Sequence, residues 1–202
     1  MDVNKHNNSL GELLGISVER AVPVVVALTD ADLGRPTPCA EYDVKGLVNH
    51  LLHVVVEFQK LAAKEESDFT KTPDRVGSGP DWRERFTTEA RALAAAWSRP
   101  GAEDGLTGAM NMPARTVGSM ALLDVTVHAW DLAQATGQHY PDDAELAPVV
   151  AQLDLSVVEL GDTARSMGMF GTAVEVPDDA SPLARLLAAT GRDPYAAARH
   201  AT

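Results

Sequence analysis

The stretch VGSMALLDVTVHAWDLAQA, residues 117–135, decides the fold. Wound at about 100° per residue it is apolar on nearly every side, and Gly137 follows where a helix-terminating residue belongs. A helix that is greasy all round is expected at the centre of a bundle rather than on its surface. Asp124, His128 and Asp131 stand at i, i+4 and i+7, on the face that also carries Val117, Ala121, Leu132 and Ala135. Three ionisable side chains therefore line one apolar stripe.

Working outward, apolar residues recur at helical spacing in four more places. A first helix carries Leu10, Leu13, Leu14, Val18, Ala21, Val25 and Leu28. Pro36 and Pro38 break the pattern, and Asp43 can cap a second helix over 44–63 with the stripe Leu47, Leu51, Val54, Val55, Phe58, Leu61 and Ala62. A polar stretch to Gly79 reads as a loop. The third helix opens near Asp81, presents Trp82, Phe86, Ala90, Leu93 and Trp97, and stops at Pro100-Gly101. Residues 102–116 fit a long loop or a short hairpin equally well. The last long helix repeats Leu146, Val149, Val150, Leu153, Val157 and Leu160, and beyond it come a short strand TAVEV, 172–176, and a short helix over 182–189. The expectation is an all-α antiparallel four-helix bundle over residues 1–160, with 161–202 as a short C-terminal extension packed on it.

The second helix, drawn as a wheel, sets His50 about 80° from the centre of its apolar stripe and His53 about 140° away on the polar side. His50 is thus the one expected to face the core. A buried carboxylate such as Asp124 costs several kcal/mol unless it is paired or bound to a metal. The pattern D-x-x-x-H stacks two ligands on adjacent turns, and His50 would complete the set from a facing helix. The spacing is equally that of an ordinary hydrogen-bonded Asp–His pair. Asp131 reads as an outer partner of His128, and Trp130 as packing. Cys39, just before a helix, has no partner base within sequence reach, so a small buried hydrophobe is its default reading. His6, His139 and His200 lie near termini or in a turn and are expected to be solvated.

Composition narrows the function classes. A single cysteine excludes an intramolecular disulfide framework or a multi-cysteine metal site, so any ligands must be His, Asp or Glu. A formal charge of -12, with no basic stripe, argues against a nucleic-acid partner. Charged residues at 23% and the lack of a long apolar run argue against a membrane span. The polar start MDVNKHNNSLGELL gives no secretory signal, so a cytoplasmic location is expected.

Three blocks together resemble a known family. PTPCAEYDVKGLVNHLLHV (36–54), LLDVTVHAWDLAQATGQ (122–138) and FGTAVEVPDDASPLARLLAATGRDP (170–194) are similar to the signature blocks of an actinobacterial DinB-like group related to mycothiol-dependent maleylpyruvate isomerase. The resemblance implies a DinB-like bundle holding a divalent metal through His50, Asp124 and His128. Many relatives have Glu where this chain has the shorter Asp124. The isomerase itself carries a larger C-terminal domain than residues 161–202 can form, so maleylpyruvate isomerisation is not expected. The resemblance implies instead a metal-dependent thiol transferase or isomerase acting on a small thiol, such as mycothiol as cosubstrate, and an electrophile. Zn2+ suits imidazole and carboxylate ligands best, with Ni2+, Fe2+ and Mn2+ as the other candidates. The alternatives are a noncatalytic metal-stabilised binding or dimerisation module and a metal-free bundle whose polar core residues bond one another. A homodimer is expected on general frequency alone.

Overall fold

The computed structural model describes residues 8–196. Its elements are α1 (Leu10–Ala27), a single 3-10 turn (Asp30–Asp32), α2 (Val44–Ala62), α3 (Trp82–Trp97), β1 (Leu106–Thr107), β2 (Met112–Pro113), α4 (Ala114–Thr136), α5 (Ala147–Ser166) and α6 (Pro182–Ala189). The mainly helical class expected from periodicity holds. Ser9 and Glu12 form a capping box at the start of α1, and Asp43 accepts from the Gly46 amide at 2.7 Å to cap α2. Gly137 ends α4 in the left-handed conformation, at φ 70°.

Helices α1 to α4 form the bundle: α1 packs on α3 and α4, and α2 packs on the same two. Direction follows from the bonds between them. Ser17 pairs with Thr126 and the Val24 carbonyl with Gln138, so α1 and α4 run the same way. Glu19 pairs with Arg91 and the Leu28 carbonyl with Arg83, so α3 runs against α1. The Leu61 carbonyl, near the end of α2, accepts from Thr107 just ahead of α4, while His50 faces Asp124 further along it. Helix α2 therefore opposes α4 and lies parallel to α3. Two consecutive parallel helices need a connection that travels back along the bundle, about 27 Å for eighteen residues of helix. Residues 63–81 are that crossover.

Helix α4 is central, buried over most of its circumference. Gly118 makes this possible: a Cβ there would lie 2.6 Å from Leu10 Cδ1 and 2.8 Å from the Trp97 ring, so no larger residue fits where α4 crosses α1 and α3. Helix α5 packs on α4 and α1, and α6 on α5. Residues 102–116 resolve into the hairpin, with Leu106 opposite Pro113 and Thr107 opposite Met112. TAVEV forms no strand. Its segment instead donates the Gly171 and Val174 amides to the Thr190 and Ala188 carbonyls at the end of α6. Among the described residues no helix is long and apolar enough to cross a membrane.

Candidate metal centre

Antiparallel packing of α2 on α4 brings His50, Asp124 and His128 together, with their ligand atoms within 4.8 Å of one another. The Asp124 Oδ1 lies 3.6 Å from His128 Nε2 and 4.0 Å from His50 Nε2. Both separations exceed a hydrogen bond, which needs about 3.2 Å or less. The two imidazoles meet edge to face, centroids 5.0 Å apart, so they do not satisfy each other by stacking either. His50 Nε2 is buried and has no hydrogen-bond partner among the described residues. An imidazole nitrogen without a partner, beside a carboxylate and a second imidazole, makes a candidate cation site. Four-coordinate zinc with bonds near 2.0–2.1 Å sets its ligands about 3.3 Å apart, and the two separations from Asp124 exceed that by less than 1 Å. Asp124 is the most exposed of the three side chains at 29%, against 19% for His50 and 11% for His128.

Loss of water around Asp124 pushes its carboxyl up, but His50, then His128 and Arg192, outweigh that and hold it below the ordinary carboxylate value. The carboxylate is therefore charged at neutral pH. Behind His128, Asp131 is fully buried and its Oδ2 lies 3.0 Å from His128 Nδ1. That is the outer-partner arrangement expected for Asp131, and it directs Nε2 toward Asp124.

Three features were not visible in the sequence. Tyr42 stacks on His50, centroids 5.2 Å apart and planes 26° from parallel. Arg192, from beyond α6, pairs with Asp131 at 3.0 Å. Cys39 sits with His128 and Asp131 in a second group of donor atoms that shares His128 with the first. Burial pushes the Cys39 thiol up despite the nearby Arg192 charge, so it stays protonated at neutral pH. The Tyr42 phenol is also pushed up, by burial first and then by neighbouring acidic groups.

His53 departs from its expected polar setting. It is 7% exposed, with Phe69 of the crossover packed on it at 6.0 Å between centroids. The wheel correctly turned it away from the bundle interior, but the crossover covers that outer face. His139 is exposed as expected, Trp130 is buried as packing, and His6 and His200 lie outside the described residues.

Fold and site together define a helical-bundle protein with a candidate metal centre between two of its helices. The chain belongs to the family of the mycothiol maleylpyruvate isomerase N-terminal domain, whose description matches residues 15–133. That span contains all three converging side chains and ends before α5. Two proteins of Mycobacterium tuberculosis are similar to it: Uncharacterized protein MT0763 of strain CDC 1551 / Oshkosh and Uncharacterized protein Rv0738 of strain ATCC 25618 / H37Rv. Each is 30% identical over 180 residues, covering 85% of this chain and 92% of its own length. No solved structure matches the chain.

Proposed function

We propose that this protein binds one divalent ion, Zn2+ first among the candidates, through His50 Nε2, Asp124 Oδ1 and His128 Nε2, and works in the cytosol as a thiol transferase or isomerase. The observation that carries the reading is the convergence of three donor atoms at 3.6 and 4.0 Å without hydrogen bonds among them. Residues that merely satisfied one another would be expected to close to hydrogen-bond distance, which favours the metal reading over a metal-free bundle. A bound ion would supply Lewis acidity, lowering the pKa of a thiol brought to it.

The chain's own groups do the rest. Asp131 holds the His128 ring, and Tyr42 lies flat against His50 and shields it. Cys39 has no general base identified beside it other than His128, a ligand in this reading, and the reacting sulfur is taken from an exogenous small thiol of the mycothiol kind. In a transfer, a bond forms between that sulfur and an electrophilic carbon as the carbon's leaving group departs with its bonding pair and the thiol proton leaves to solvent; in an isomerisation, the sulfur adds as a double bond opens onto the neighbouring atom, and the thiol is later eliminated as the double bond re-forms. A depression of about 330 Å³ on the connection before α2 is lined by Cys39 and Tyr42, the two residues of that connection that also neighbour His128 and His50, and could take a substrate.

The test compares metal-loaded protein, chelated protein and His128→Ala for mycothiol-dependent loss of an electrophile across a panel. Acceleration confined to the loaded wild type supports the reading. Rates equal to the chelated control leave a noncatalytic metal-stabilised module.

A further inference from the structure

The chain returns to the bundle after α6, outside the span that defines the family. Thr190 ends α6, and Gly191 then turns the chain at φ 91°. A Cβ at Gly191 would lie 2.6 Å from the Gly171 Cα, so both the turn and the close crossing of two backbone segments require glycine there. The turn delivers Arg192, only 8% exposed, to the far side of Asp131.

Arg192 Nη2 donates to Asp131 Oδ2 at 3.0 Å, Nε to Oδ1 at 3.3 Å, and Nη1 to the Thr190 carbonyl at 3.2 Å. Asp131 Oδ2 also faces His128 Nδ1 at 3.0 Å. The result is a buried guanidinium–carboxylate–imidazole chain that ends at the nitrogen aimed at Asp124. Its carboxylate has both oxygens engaged by a planar fork, so it cannot rotate without breaking two charge-assisted bonds. The Arg192 charge is itself secured: burial pushes its pKa down, and Asp131 more than restores it.

We propose that Arg192 is a positioning residue of the metal centre. By clamping Asp131 it keeps the proton of His128 on Nδ1 and leaves the Nε2 lone pair directed at His50 and Asp124. The segment that follows α6 thereby reaches the candidate ligands through Asp131 and sets the affinity of the site. This rests on the metal reading above. A purely structural role for Arg192, neutralising a buried carboxylate, would alter stability and leave metal affinity alone.

The experiment measures zinc affinity by competition with a chromophoric chelator for the full chain, Arg192→Met, Arg192→Lys and the double variant Asp131→Asn/Arg192→Met. The double variant removes both buried charges at similar volume, so it serves if Arg192→Met alone does not fold. Nitrogen-15 spectra of the metal-free protein report the His128 tautomer independently of any metal. Arg192→Met is expected to bind zinc about 10- to 100-fold more weakly, the range for loss of an outer partner, with Arg192→Lys in between. The double variant is expected to lose about tenfold, since an Asn carbonyl can still accept from Nδ1–H but lacks the clamp. His128 should be protonated on Nδ1 in the wild type and a mixture in the variants. Wild-type affinity in the folded double variant, or an unchanged tautomer, overturns the clamp while leaving the metal centre standing. A wild-type chain that takes no zinc overturns both.

Discussion

His50 and His53 stand one turn apart on α2, and each has an Nε2 that is buried without a hydrogen-bond partner among the described residues. Their surroundings differ. His50 meets Asp124 and His128 across the interface with α4, whereas His53 lies under the crossover beside Phe69. The more deeply buried of the two residues is His53, so burial alone does not mark a site. Convergence does: the donor atoms of a carboxylate and a second imidazole cluster with that of His50, whereas among the described residues no such cluster includes His53, although the Glu57 and Asp68 carboxylates lie near enough to feel it.

The sharpest way to break this comparison is to remove one side chain at a time. His50→Ala, Asp124→Ala and His128→Ala should each weaken zinc binding by more than about 100-fold, beyond the range for loss of an outer partner. His53→Ala should change it less than threefold or so, because its loss disturbs no ligand. Calorimetric titration of the four variants decides, and equal losses at positions 50 and 53 would mean that the two faces of α2 have been confused.

Acid should separate the faces as well. Ligating imidazoles must be neutral, so protons compete with the ion, and metal retained on dialysis should fall steadily as pH is lowered from neutral. Retention that is flat into strong acid would speak against histidine ligands. A smaller effect is expected when His53 becomes Leu: the orphaned nitrogen disappears, and thermal unfolding of the metal-free protein should shift by no more than about 1 kcal/mol, with zinc affinity unaltered. Marked destabilisation would reveal a polar role for His53.

The smallest effect concerns the crossover itself. Asp74 is held at about 2, by Lys45 first and then by the Gly77 amide and Asn49. Its folded pKa lies below its ordinary value of 3.8, so its contribution is present above that value and fades as pH falls toward 2. Asp74→Asn should therefore loosen residues 63–81 in hydrogen exchange at neutral pH and erase the difference near pH 2, while leaving zinc binding alone. A large stability loss would mean the crossover is integral to the bundle.

Much of this arrangement was legible in the sequence because it is local. The 3.6-residue rhythm gives the helices, the all-round apolar α4 gives its central place, and the spacing of Asp124, His128 and Asp131 along one face gives half of the site and its outer partner. What failed to show was non-local. Periodicity carries no information on helix direction, so the parallel run of α2 and α3, and with it the crossover that buries His53, could not be anticipated. Tyr42 reaches His50 from a connection that reads only as a helix breaker. Arg192 lies more than one element away from Asp131, and no spacing rule links them. TAVEV has the composition of a strand, yet its partner is the C-terminal end of α6 rather than another strand.

The central claim is that two imidazoles and one carboxylate hold the ion and that the nearby thiol of Cys39 does not. X-ray absorption of the zinc-loaded full chain tests it directly, since zinc–sulfur bonds near 2.3 Å stand apart from zinc–nitrogen and zinc–oxygen bonds near 2.0–2.2 Å. The account predicts a shell of nitrogen and oxygen with two imidazole signatures, unchanged by Cys39→Ala, that gains one sulfur only when mycothiol is added. A sulfur neighbour already present before thiol is added, and lost in Cys39→Ala, would contradict it and move the site to Cys39, His128 and Asp131.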